Sequence, residues 1–331
     1  MARRARPDGG GASGGGQDGA RAGRAALLDL LADLFLRELD PPLARTLAAD
    51  PALAEALQPP GDEEGVRALR AEYARLILLE APPYASLFLE APPVIGGETA
   101  RHWETALAAS GIPALPLERA SSSDHAGLCL RALAYAERRG APGPILAEAL
   151  RWLPQYLTAL ERADPGGFYG RVAQLAAYAL GESARQAAAP VAEPAGAEPP
   201  EIPPPEDDRL RTLARWLCAP LWSGWYLTPG ALRALARSLG SAPGRTDRAA
   251  LLEQVFEASG LDNRTGELLD ALLATLSEWD AAAREWGDQL GAWGGALTPW
   301  RASLTQTRAL LTAMRDEARA GASDSGGERE R

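Results

Sequence analysis

The sequence contains no lysine; all 34 of its basic side chains are arginine. That removes a phosphate-loop lysine and any Schiff-base mechanism. Two cysteines, Cys129 and Cys218, and two histidines, His102 and His125, are all the chain has of either type. They cannot build a disulfide framework, and no nearby Asp or His completes a zinc set with His125 and Cys129, so no metal and no cofactor is expected. A reducing compartment fits. No run of about 18 apolar residues occurs, so no membrane-spanning helix and no stable membrane association are expected. Arg3-Arg4 look like the basic start of an export signal, but residues 8–19 hold Gly, Ala, Ser, Gln and Asp where an apolar core should follow. The expected location is the cytoplasm.

Positive charge is also outnumbered: 34 basic against 44 acidic side chains give a net charge of −10. Phosphate binding needs concentrated positive charge, so nucleic acid is not an expected partner. A basic peptide would be attracted, although the same acidity also keeps a protein soluble.

What is present is helical. Apolar residues recur at steps of three and four in Leu27, Leu31, Leu34 and Phe35, in Val66, Leu69, Tyr73, Leu76 and Ile77, and again through Leu146–Leu160 and Phe168–Ala179. No useful alternating strand pattern interrupts them, and the fold class read from this is all-α. The prolines between residues 82 and 116 predict a shaped, fairly rigid connection with one helix over about 98–110. Residues 187–207, rich in Pro, Ala and Glu, read as an extended linker. The expected organisation is a disordered tail over 1–23, a helical domain over 24–186, the Pro-rich linker over 187–207, a second helical domain over 208–320 and a disordered tail over 321–331.

In the second domain Thr228-Pro229 and Thr298-Pro299 each place a capping hydroxyl before a Pro suited to the first helical turn. Thr246 and Asp247 are expected to open another helix and Gly260 to close it. Trp279, Trp286, Trp293 and Trp300 recur every seven residues and share one helical face. They serve either as core or as an aromatic wall facing a peptide or cofactor. The glycines from Gly287 to Gly295 predict a break near Gly294 and a new helix from Pro299.

Three short blocks carry the functional signal: Glu72-Tyr73-Ala74-Arg75-Leu76, Pro82-Pro83-Tyr84-Ala85-Ser86 and Asp124-His125-Ala126-Gly127-Leu128. They mix aromatic, Pro and hydrogen-bonding groups as a peptide-gripping surface would. No nucleophile, base and oxyanion donor stand at workable spacing, so a binding protein, not an enzyme, is expected.

In this order and within about 60 residues, the blocks resemble the TorD/DmsD/NarJ family of chaperones for molybdenum-containing redox enzymes, over residues 24–186. The resemblance implies an all-helical, cytoplasmic TorD-like bundle. It implies a partner as well: the twin-arginine signal peptide or N-terminal segment of an immature molybdoenzyme catalytic subunit, held until its cofactor is loaded. Where the family's hinge carries an acidic residue and a proline before Asp-His, this chain has Ser121-Ser122-Ser123. Two other classes stay open. One is an assembly scaffold for a client segment without a twin-arginine signal. The other is a guanine-nucleotide-binding protein or enzyme, which no phosphate loop supports. Oligomeric state is open, a homodimer included.

The candidate peptide-binding or hinge residues are Glu72, Tyr73, Pro83, Tyr84, Ser86, Asp124, His125 and Leu128. Glu72 can accept two parallel bonds from a client guanidinium, whereas Tyr73 lies on the apolar stripe with its hydroxyl at an edge. Tyr84 and Ser86 follow Pro82-Pro83, where side chains can point into a groove. Asp124 is expected to cap a helix, and His125, if it touches the client, should make affinity respond to pH near 6.5. Cys129, one turn after His125, reads as a small buried apolar residue.

Overall fold

In the computed structural model the described residues are 14–117, 120–188, 209–242, 244 and 247–327. They form helices with no strand, the only extended pairing being a bridge between Tyr84 and His125. The helices of the first part are α1 (Gly14–Leu36), α2 (Pro41–Ala49), α3 (Pro51–Leu57), α4 (Glu63–Tyr73), α5 (Ser86–Leu89), α6 (Gly97–Ala109), α7 (Ala126–Arg138), α8 (Gly143–Leu150), α9 (Leu153–Ala163) and α10 (Phe168–Gln186). A π-helical segment, Ala74–Glu80, continues α4. The second part holds α11 (Arg209–Leu217), α12 (Pro220–Ser223), α13 (Pro229–Ser238), α14 (Arg248–Leu261), α15 (Thr265–Leu290) and α16 (Thr298–Gly327), with 3-10 turns over Gly291–Leu297.

Local chemistry sets many of the starts. Asp40, Asp50 and Asp62 each accept from backbone amides of the helix that follows, and Pro occupies the first turn of α2 and α3, where a missing N–H costs nothing. Asp247 caps α14 through Ala250 N–H and Thr228 caps α13 through Ala231 N–H. Thr298 does not cap: its backbone is already helical because the 3-10 turns run straight into α16. Gly260 lies inside α14, and the left-handed residue that follows the helix end is Asn263, with φ 57°.

Both tails depart from the sequence expectation. Helix α1 begins at Gly14, not after residue 23, and α16 runs to Gly327. Residues 1–13, 189–208, which take in most of the Pro-rich stretch, and 328–331 lie outside the described residues, as does Thr246.

Helix α1 packs along α7, and Gly127 sets how closely. A Cβ there would stand 2.5 Å from Leu36 Cγ and 2.8 Å from the Ala32 carbonyl oxygen. Arg24 on α1 pairs with Glu137 on α7 at 3.2 Å, with Glu137 buried.

One hydrophobic cluster contains buried residues from both parts of the chain. Phe88 stacks on Tyr226, ring centroids 5.1 Å apart. Glu80, buried at the end of the π-helical segment, accepts from Gly230 N–H at the start of α13 and pairs with Arg233 at 3.2 Å. The four heptad tryptophans are all buried and serve as core, Trp279 and Trp300 meeting edge-to-face at 6.2 Å. The chain turns at Gly291, φ 56°, and the ideal Cβ of Gly294 would lie 3.2 Å from the Gly287 carbonyl oxygen, so α15 and the turns fold back tightly.

Candidate functional site

The second and third sequence blocks lie far apart in the chain and are zipped together in the fold. Ala126 N–H donates to Pro83 O at 2.7 Å, Ala85 N–H to Asp124 O at 3.0 Å, and Ser86 N–H to Asp124 Oδ2 at 2.8 Å. Tyr84 and His125 face each other edge-to-face, centroids 5.1 Å apart and planes at 84°. The Tyr84 hydroxyl accepts from Ser121 N–H at 3.2 Å, and the Ser86 hydroxyl accepts from Gly96 N–H at 3.3 Å. The serines that replace the family's acidic residue and proline add a further tie: Ser123 Oγ donates to Ala100 O on α6 at 3.4 Å.

His125, not Asp124, caps α7. Its Nδ1 accepts from Gly127 N–H at 3.0 Å, while Asp124 turns back to hold Ser86. An aspartate one residue before the cap is free to bind a neighbouring segment, and here that segment is the one rigidified by Pro82-Pro83. Asp124 Oδ1 has no hydrogen-bond partner although it is buried.

Burial governs the electrostatics. His125 is 3% exposed, and desolvation lowers its pKa from 6.5 to about 4. The imidazole is therefore neutral near pH 7, as its acceptor role at Nδ1 requires. Burial likewise raises the Tyr73 hydroxyl above its ordinary range and pushes both buried thiols, Cys129 and Cys218, upward. Among the described residues no three His, Cys, Asp or Glu side chains gather as metal ligands.

The structure thus brings Pro83, Tyr84, Ser86, Asp124 and His125 into one buried junction, with Leu128 one turn along α7. Tyr73 lies in the adjoining core, its hydroxyl donating to Phe35 O at 2.8 Å and its ring edge-to-face with Tyr169. Glu72 stands apart at the surface, paired with Arg75 of its own chain segment at 2.5 Å. Apart from Glu72, these side chains point inward and fasten helices to one another, where the sequence had suggested side chains turned into a groove.

The open surface next to the junction is built by other residues. A pocket of about 270 Å³ is lined by Leu107 on α6, by Ile112, Leu115 and Leu117 after it, and by Ser123 and Leu128. Leu117 is 49% exposed. Sequence reasoning took Leu128 but missed the rest; the alternation of Pro113 and Pro116 with Ile112, Leu115 and Leu117 was the available signal, since proline holds such a strip extended.

Comparison with protein families finds a match between residues 27–163 and the nitrate reductase delta subunit family. No curated protein matches the chain. The matched span runs from α1 to the end of α9 and takes in all three sequence blocks. That family is one of non-catalytic molybdoenzyme maturation chaperones, of the NarJ/TorD type, and it works with nitrate reductase-type molybdoenzyme subunits. The ordered blocks and the all-helical fold agree with that match, which makes residues 27–163 of this chain similar to the nitrate reductase delta subunit family.

Proposed function

We propose that the protein is a cytoplasmic maturation chaperone that reversibly binds the twin-arginine signal peptide or N-terminal segment of an immature molybdenum-cofactor oxidoreductase subunit. The observation that carries this reading is the apolar pocket beside the Tyr84–His125 junction, set within the family-matched span. An extended strip with Leu115 and Leu117 at its edge offers an apolar client side chain a place to leave water, while the buried junction keeps α6, α7 and the 83–86 segment in register. Occupancy is the mechanism, with no bond made or broken.

Purification of the tagged full chain from its native cell tests the reading. The expected co-purifying protein is the cofactor-free catalytic subunit of a molybdoenzyme, and Leu117→Asp, an exposed change, should weaken its capture. A Leu side chain buried on binding contributes about 1.5–3 kcal/mol, roughly a factor of ten or more in affinity. Absence of any molybdoenzyme from the purified complex sinks the reading.

The same match fits a second variant, in which the client segment lacks a twin-arginine pair and the protein acts as an assembly scaffold. Binding of the client's N-terminal peptide with and without an arginine pair separates the two.

A further inference from the structure

Helices α9, α10 and α15 leave a cleft of about 540 Å³ between them. Ala173, Ala177 and Ala282 line it, and side chains of that size explain why three packed helices leave room there. Tyr178, 53% exposed, supplies aromatic surface, and Trp286, although it borders the cleft, is buried. The Trp286 indole N–H donates to Thr158 Oγ1 at 3.1 Å and holds α15 against α9 at this point.

The charge of the cleft has one sign. Glu161, Glu285 and Asp288 line it, and no arginine does. Glu161 accepts from the Gln174 amide at 2.7 Å, but among the described residues no ion pair reaches any of the three carboxylates. The arginines of the same helices pair with other groups: Arg162 with Glu278, Arg284 with Asp280, Arg171 with the Leu57 and Gly166 carbonyls, and Arg185 with Glu182 and, at the cleft edge, the Gln289 carbonyl.

Unbalanced carboxylates beside aromatic rings suit a guanidinium better than an ammonium, because its planar fork can donate to a carboxylate in pairs while its face lies on a ring. A cleft of this volume admits a few side chains of a peptide, not a folded domain. We propose that it is the docking site for an arginine-bearing segment of the client polypeptide, and that the second part of the chain, through Trp286, Glu285 and Asp288 on α15, builds one wall of it. This rests on the client-binding reading above and gives the second part of the chain a share in recognition.

The test uses the full chain and a fluorescein-labelled synthetic peptide with two adjacent arginines ahead of a leucine–alanine stretch, beside its counterpart with glutamines at those positions. Fluorescence anisotropy should show that the parent prefers the arginine peptide and that added salt erodes the preference. The exposed double variant Glu285→Gln/Asp288→Asn should lose on the order of tenfold for the arginine peptide and change little for the glutamine peptide, with an unchanged melting temperature. Tyr178→Ala should weaken the arginine peptide as well. Equal affinity of parent and double variant for the arginine peptide, or no preference for arginine in the parent, overturns the cleft assignment and leaves client binding standing. Failure of the parent to bind either peptide overturns both.

Discussion

Acidification is the perturbation that most directly interrogates the buried junction. His125 accepts from Gly127 N–H at Nδ1 and packs edge-on to Tyr84, so protonation would add charge to a desolvated ring and place a proton where the cap bond is accepted. With the folded pKa at about 4 and the unfolded one at 6.5, the unfolded chain binds more protons between these values. Stability is therefore full above about pH 6.5 and falls as pH drops toward 4. The linkage relation gives a loss on the order of 1 kcal/mol near pH 6 that grows to roughly 3 kcal/mol as pH falls through 4. Urea unfolding of the parent and of His125→Asn, whose amide oxygen can still accept at the cap, isolates this contribution from every other titrating group. The parent should lose about 2 to 3 kcal/mol more than the variant between pH 7.5 and pH 4.5. An identical pH dependence in the two proteins, or an imidazole seen by NMR to titrate near 6.5, would refute the argument and return His125 to the client-contacting role that the sequence suggested.

Three further outcomes follow from the packing. Asp124→Ala strands the Ser86 N–H and should cost about 1–3 kcal/mol, whereas Asp124→Asn keeps a carbonyl acceptor and should cost much less; equal losses in denaturant midpoint would show that charge, not the acceptor, matters there. Gly127→Ala forces a methyl against Leu36 and the Ala32 carbonyl and should destabilise by about 1–3 kcal/mol through overpacking, read as a lowered melting temperature; an unchanged value would mean that α1 and α7 can separate freely. Glu80→Ala removes the acceptor for Gly230 N–H and the partner of Arg233 and should cost about 1–3 kcal/mol, with faster amide hydrogen exchange in α13; unchanged protection there would remove this contact as a fastening of the second part to the first.

Periodicity and caps made much of the architecture readable. A helix expected at 98–110 is found at Gly97–Ala109, the Thr228 and Asp247 caps form, and the heptad tryptophans are buried as core, although Trp293 in the 3-10 turns and Trp300 on α16 do not share the α15 face of Trp279 and Trp286. These are local facts, decided within one or two turns by side-chain spacing and by which hydroxyl or carboxylate can reach a free amide. The candidate site was legible only as a set of residues. The cap fell to His125 instead of Asp124 because it depends on which side chain the incoming segment Pro83–Ser86 claims, and that segment arrives from 38 residues away. Thr298 lost its cap in the same manner, to the turns that precede it.

The sequence alone thus determined that the chain is helical, which faces are apolar, and that three blocks resemble a chaperone family. Tertiary structure alone decided that Tyr84, Asp124 and His125 are interior fastenings, that the open apolar pocket belongs to Leu107, Ile112, Leu115 and Leu117 beside Leu128, and that α15 joins α9 and α10 around an acidic cleft. The reason is one of range. Helix formation answers to neighbours three and four residues along, whereas burial, an imidazole's pKa and the space left between helices answer to whatever distant segment packs against them.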